Sequence, residues 1–340
     1  MGLDKDFGIA IGSLKKGKRN LITDVKGVKV GHVTLNDGNI KTGVTAVLPH
    51  EGNIFKEKVM ASSCVINGFG KSMGILQIEE LGTIETPIIM TNTLSVGTAA
   101  TGLVKYMLEQ NEDIGSTTGT VNCVVTECND GRLNDIRGLH VKEEHVLEAI
   151  KNASEDFEEG AVGSGTGMVC YSIKGGIGSS SRIVELDNKE YTLGAIVMSN
   201  FGSLKDLIIG GDKAGERIYN NQQQEKDKGS IIMIIATDIP LSERQLKRVS
   251  KRAVIGLGRT GSYLGNGSGD ICISFTTANI LKHYSDTNIV SMKMLDDEAI
   301  DQVFRAAAEA VEESIISSMY HAETTVGING NTRESLRDLL

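Results

Sequence analysis

The chain of 340 residues has no tryptophan, three prolines and few aromatic side chains, 4 % in all. So little proline excludes rigid linkers between separate modules. Forty glycines point instead to tight turns and close backbone approaches in a compact globular chain. Basic residues are outnumbered by acidic ones, 35 against 44, for a formal charge of −9, and no basic stripe with interleaved aromatics occurs. A nucleic-acid partner is thereby disfavoured. No apolar run approaches the roughly eighteen residues that a membrane span needs, so no membrane partner is expected. The start, residues 1–7, lacks the basic and apolar regions of a secretory signal, and Asp6 stands where a myristoylation pattern needs serine or threonine. A cytoplasmic location is the expectation.

The five cysteines (Cys64, Cys123, Cys128, Cys170 and Cys272) are odd in number and sit mostly in apolar stretches, as small core residues of a reducing compartment do. Six scattered histidines show no metal-ligand spacing. Residues 174–182 carry their lysine before the glycines, the reverse of a phosphate-binding loop, and residues 163–167 lack the third glycine of a dinucleotide fingerprint. Both read as tight turns. Neither a metal nor a cofactor is called for.

Short apolar runs at 28–30, 44–48, 64–66, 87–90, 121–126, 167–173, 191–198, 231–236 and 271–275 predict strands. Helical spacing of apolar residues predicts helices over 95–110, 142–153, 242–258 and 296–319, with Ser242 as a cap and acidic residues opening the last. Strands and helices are mixed without strict alternation or repeat, which argues for α/β layers of the α+β kind rather than a doubly wound sheet. No composition shift marks a boundary, so one domain over 1–340 is expected.

The conspicuous break is Gly229-Ser230. Upstream, residues 219–228 are polar throughout; downstream, 231–236 are continuously apolar, so a serine stands at the mouth of a buried strand behind a flexible residue. Taken alone, this is also how an ordinary loop meets an ordinary strand. If the bond before Ser230 were cut, the serine would gain an amine beside its hydroxyl. With a reference pKa of about 7.7–8.0, that amine can serve as base for the neighbouring nucleophile.

Residues 266–270, Asn-Gly-Ser-Gly-Asp, offer partners for such a group. Ser268 and Asp270 are two apart in an extended segment and so share a face, although a turn with a capping aspartate has the same pattern. The segment is no nucleophile elbow, because a strand and not a helix follows it. Asn200, ending the 191–198 strand, can turn its side-chain amide to an oxyanion, or simply close the strand.

Seven segments in order carry a resemblance over nearly the whole chain: 22–32, 91–97, 133–137, 163–168 with 174–178, 199–202, 229–232 with 236–238, and 266–270. Together they resemble the DmpA-type L-aminopeptidase/D-esterases, which include the β-peptidyl aminopeptidases. The resemblance implies an αββα sandwich of the DmpA/ArgJ kind that cuts itself between Gly229 and Ser230. The products would be an α chain of 1–229 and a β chain of 230–340, held together and assembled as a homo-oligomer, a tetramer in the family. It also implies Ser230 as nucleophile and amine base, Ser268 and Asp270 as its helpers, and Asn200 at the oxyanion. The substrate would be a small peptide or aminoacyl amide, and Glu127 is the candidate for binding its ammonium, with Arg132 and Asn134 beside it.

Two departures from the family pattern stand out. Arg132 occupies the place in segment 130–134 where a tyrosine is common, and no tryptophan lies near Gln77. A permanent cation in place of a phenol changes oxyanion support or substrate charge preference. Two alternatives remain: an acyltransferase of the ornithine acetyltransferase type, whose β chain begins with threonine, and an inactive homologue that only binds.

Overall fold

The structure, a computed structural model, describes residue 8 and residues 10–219 and 229–340. Most of the predicted polar loop before Ser230 lies outside the described residues. Two sheets form the centre. One has four strands in the order β1 (Lys29–Asp37), β2 (Ile40–Leu48), β5 (Ile88–Asn92) and β6 (Val124–Cys128). The other has six, in the order β4 (Thr83–Ile84), β3 (Glu57–Gly68), β12 (Gly269–Lys282), β11 (Ser230–Thr237), β10 (Lys189–Asn200) and β9 (Gly176–Leu186). The short strands β7 (Val169–Cys170) and β8 (Ile173–Lys174) pair beside them, as do β13 (Thr325–Val326) and β14 (Thr332–Arg333).

Side-chain alternation along the strands explains why these sheets stack between helices. In β11, Ile232, Ile234 and Ala236 face the other sheet, where Val47, Ile88, Met90 and Val124 meet them. Ile231, Met233 and Ile235 point the opposite way, onto helices α4 (Glu243–Ser250), α5 (Ala253–Arg259) and α6 (Asp301–Tyr320). On the far side, Val44, Ala46, Ile89 and Val125 pack under α2 (Val96–Gln110) and α3 (Glu143–Lys151). Three apolar layers thus join four layers of structure, helices–sheet–sheet–helices, as expected. Each buried isoleucine of β11 contributes roughly 1.5–3 kcal/mol by leaving water, so this strand is firmly held.

Several elements differ from the sequence expectation. The segment read as a tight turn over 174–182 is mostly strand β9, whose Gly178, Ser179, Ser180 and Ser181 are all buried. A side chain at Gly178 would lie 2.0 Å from the Ser314 carbonyl oxygen, so small residues let α6 sit directly on the sheet. The strand expected over 167–173 is broken instead into β7 and β8 by Tyr171 and Ser172, with φ of 51° and 63°. The helix expected over 242–258 divides into α4 and α5, and the final helix starts at Asp301 after a short turn. Glu127 lies inside β6 rather than after it. A short helix, α1 (Ile75–Leu81), was not anticipated. No helix of the described residues is long and apolar enough to cross a membrane.

The position of β11 builds the site. It runs antiparallel to β10, with Asn200 opposite Ser230, and parallel to β12, with Ser230 beside Gly269. Opposite Asp270, β3 carries one extra residue, Ile66, since Asp270 pairs with Asn67 and Ile271 with Val65. Such a bulge bends the strand and re-aims side chains at the sheet's end.

Candidate active site

Ser230 is the first residue of β11 and is buried, 7 % exposed. Its Oγ accepts a hydrogen bond from the Gly269 N–H at 3.1 Å, which fixes the hydroxyl. One residue away, the Ser268 hydroxyl donates to Asp270 Oδ1 at 2.6 Å, and both are buried. The turn carrying them is latched to β3, where the Asn67 amide donates to the carbonyls of Gly265 at 3.1 Å and Ser268. Ser230, Ser268 and Asp270 are therefore brought together at adjoining strand ends.

Glycine before Ser230 is a steric requirement. A Cβ on Gly229 would lie 1.8 Å from the Asn200 carbonyl oxygen and 2.4 Å from Phe201 Cα. The chain thus enters β11 pressed against the end of β10. Asn200 is held by both ends of its amide: Oδ1 accepts from the Val169 N–H at 2.9 Å, and Nδ2 donates to the Asn129 carbonyl at 3.0 Å. An amide nitrogen carries two donor hydrogens, so the second remains for a ligand oxygen.

Lys174 secures the loop that holds Asn200. Its side chain is fully buried, and Nζ donates to the carbonyls of Gly165, Met168 and Gly175 at 3.1, 3.0 and 2.6 Å. Burial pushes its pKa down to about 7. The Val169 N–H follows directly on one of these carbonyls. Neither Lys174, in the segment 174–178, nor Val169, in the expected 167–173 strand, stands out as a site residue in the sequence, because the signal is a fold of the backbone rather than a residue pattern.

Glu127 is buried in β6, where Oε1 accepts from the Lys71 N–H at 2.8 Å and Oε2 from the Thr93 hydroxyl. A Cβ placed on Gly70 would be 3.5 Å from Glu127 Oε1 and 3.9 Å from Gly269 Cα. Gly70 thus separates this carboxylate from the backbone that touches Ser230. Asn134 is also buried, but its Oδ1 accepts from the Lys41 N–H and its Nδ2 donates to Asp130. It shapes the loop and does not line the cavity beside it.

That cavity, of about 550 Å³, is lined by Asn129, Gly131, Arg132, Ile136, Val169, Ser172, Asn200, Phe201, Gly202 and Gly229. Arg132 is exposed on its wall and is the one charged residue among the described residues that line it. Asn129, missed from the sequence, turns its Oδ1 to the Gly131 N–H at 2.9 Å and joins the loop to Asn200 through its carbonyl. A second cavity of about 680 Å³, lined in part by Phe157, Glu159, His321 and Val326, holds none of the predicted site residues.

Asp130, behind the wall, is buried, and burial pushes its pKa up to about 7 against the opposing hydrogen bonds of Thr42 and Asn134. Burial likewise raises the Cys128 thiol well above its usual value, helped by the carboxylates of Glu127 and Asp270. That thiol stays protonated at neutral pH, which disfavours it as a nucleophile.

The arrangement is one of a buried hydroxyl, a polar pair behind it, an amide donor across from it and a buried carboxylate to one side. Residues 20–333 match the model of peptidase family S58. The β-peptidyl aminopeptidase BapA of Sphingosinicella microcystinivorans is 38 % identical, over 98 % of this chain and 89 % of its own. The PH0078 protein of Pyrococcus horikoshii OT3 superposes with a TM-score of 0.95 at 58 % identity, over 98 % of this chain and 95 % of that one. The L-aminopeptidase D-Ala-esterase/amidase of Ochrobactrum anthropi, described as a prototype serine aminopeptidase and a variant of the Ntn hydrolase fold, gives 0.91 at 36 %, over 98 % and 94 %. With a family match over nearly its whole length and relatives this similar, the chain belongs to peptidase family S58.

Proposed function

We propose that the chain is made as an inert precursor, cuts its own bond between Gly229 and Ser230, and then acts as a serine aminopeptidase on N-terminal aminoacyl amide, peptide and ester bonds. The observation that carries this reading is the junction itself. Ser230 opens the strand between Asn200 and Gly269, with its hydroxyl held by the Gly269 N–H and a glycine enforced before it. The similarity to a β-peptidyl aminopeptidase and to an L-aminopeptidase D-Ala-esterase/amidase supports the same chemistry.

In processing, Ser230 Oγ attacks the Gly229 carbonyl carbon, the C–N bond to Ser230 breaks, and the nitrogen takes up the proton. Water then hydrolyses the ester, leaving a carboxylate on Gly229 and a free amine on Ser230. The products 1–229 and 230–340 stay joined, because β11 lies between β10 of the first and β12 of the second. In turnover the new amine takes the Oγ proton, Ser268 and Asp270 orient the pair, and Asn200 Nδ2 donates to the oxyanion. Glu127 receives the substrate ammonium.

The same reading includes a homo-oligomer, for which the exposed Phe69, Met73, Leu76 and Leu81 offer an apolar surface. It also includes a reducing, cytoplasmic setting: Cys64 and Cys272 are cross-strand partners, yet both are free thiols. Denaturing mass spectrometry tests the proposal. Two fragments meeting at Gly229/Ser230, lost in Ser230→Ala together with aminoacyl-amide hydrolysis, are expected. A single intact 340-residue species after long incubation would overturn it.

A further inference from the structure

We propose that Lys174 is a positioning residue whose ammonium, acting through the Met168–Val169 peptide, aims Asn200 Nδ2 and strengthens it as an oxyanion donor. The inference rests on the aminopeptidase reading above and on the role given there to Asn200. The link is a continuous chain of hydrogen bonds. Lys174 Nζ donates to the Met168 carbonyl at 3.0 Å, and the same peptide unit presents the Val169 N–H to Asn200 Oδ1 at 2.9 Å. The Gly175 N–H donates to that Met168 carbonyl as well, also at 3.0 Å. A cation on a carbonyl oxygen draws electron density from the amide nitrogen, so the N–H at the other end of the peptide becomes the stronger donor. The side-chain amide of Asn200 repeats the step: an engaged Oδ1 leaves the hydrogens on Nδ2 more acidic. One of these goes to the Asn129 carbonyl at 3.0 Å, and the other is left for the oxyanion.

The setting keeps the charge effective. Lys174 is 0 % exposed, so water does not screen it, and its donors end on the carbonyls of Gly165, Met168 and Gly175. No carboxylate among the described residues pairs with it. Burial lowers its pKa to about 7, yet a neutral amine has two donors for these three carbonyls, so the geometry is that of the ammonium. Burying an ammonium is costly, and a methionine would fill the same space without that cost. Packing therefore does not account for the charge. The Gly165 and Gly175 carbonyls tie it to the turn at 163–165 and to the start of β9, and Val169 pairs with Lys174 across β7 and β8. The cation is thus fixed on the one peptide that holds Asn200.

The test compares Lys174→Met, which keeps the stem and loses charge and donors, with Lys174→Gln, which keeps two N–H donors but not the charge. Hydrolysis of α- and β-aminoacyl p-nitroanilides is counted per processed chain, from denaturing mass. In both variants kcat should fall roughly tenfold, part of the loss of about 10²–10³ for removing an oxyanion donor outright, while KM stays within about twofold. Lys174→Met in an Asn200→Ala background should cost no further kcat, because the path ends at the missing amide. A wild-type kcat in either lysine variant, a loss carried by KM, or a full further loss on top of Asn200→Ala would overturn the inference and leave the aminopeptidase reading intact. So would two variants that fail to fold, or that fold and stay uncut, since these assign Lys174 to building or cutting the chain rather than to turnover. Wild-type protein that processes yet cleaves none of the anilides overturns both.

Discussion

Asn200 and Ser230 are paired residues at the adjoining ends of β10 and β11. One ladder therefore sets the distance between an amide donor and a hydroxyl, and it does so without the peptide bond that enters Ser230. A cut at that bond leaves the ladder and the apolar faces of β11 in place. The same pairing brings Gly229 against the Asn200 carbonyl, so the end of β10 both presents the amide and limits what can precede Ser230.

Gly229→Ala follows from that limit. A methyl 1.8 Å from the Asn200 oxygen cannot be accommodated without moving one backbone or the other. Processing, followed as the rate of fragment appearance on denaturing mass spectra, should slow at least tenfold. Stability should fall by about 1–3 kcal/mol, the usual cost of overpacking. Processing at the wild-type rate would mean that this close contact does not constrain the scissile bond.

Asn200 separates donor from scaffold. Asn200→Ala removes both ends of the amide, while Asn200→Asp keeps an acceptor for the Val169 N–H, loses the donor and adds a charge that opposes an oxyanion. Losses in kcat of about 10²–10³, the range for one oxyanion donor, are expected in both. If Asn200 served only to hold Val169, the aspartate variant would retain most of its activity.

Asp130 gives stability a pH dependence. Burial, the main cause, pushes its folded pKa up to about 7 from the ordinary 3.8 of an aspartate. Between those values the folded chain keeps a proton that the unfolded chain has lost, so this group's contribution falls as pH rises from about 4 to about 7. Asp130→Asn removes the titration. Relative to wild type, the variant should gain about 2–3 kcal/mol between pH 5 and pH 8 in urea unfolding. A difference that stays constant across that range would show that Asp130 titrates normally.

What the sequence disclosed, and what it concealed, follows from how each element is stabilised. β11 was visible because a strand buried on both faces is continuously apolar, and the Ser268–Asp270 pair because two residues apart in extended chain share a face. β9 was hidden by the very closeness of its packing. Where α6 presses on the sheet, glycine and serine replace larger residues, and such a composition reads as a turn. The props of Asn200 were equally hidden: Val169 acts through its N–H, and Lys174 through three carbonyls, none of which has a sequence signature. Arg132 and Asn134 stand two apart, yet one faces the cavity and the other is spent on Lys41 and Asp130.

Arg182, in the segment misread as a turn, carries the last prediction. It is fully buried in β9, and its guanidinium reaches Glu309 Oε2 at 3.2 Å, Glu313 Oε2 at 2.6 Å and the carbonyls of Ser181 and Ile11. Burial alone would raise the Glu309 pKa, but hydrogen bonds from Leu14 and Ser13, together with Arg182, hold it below the usual carboxylate range. Glu309 therefore contributes stability above the unfolded pKa and loses it as pH falls through the lower folded value. Arg182→Ala leaves two buried carboxylates without their shared cation, which should cost about 3–5 kcal/mol at pH 7. The penalty should shrink towards pH 3, where protonation relieves the stranded charges. Arg182 lies six residues along β9 from Gly176, the partner of Ser199, roughly 20 Å at the rise of a strand. The folded variant should therefore process at the wild-type rate. A penalty independent of pH would assign the loss to packing of the long side chain rather than to its charge.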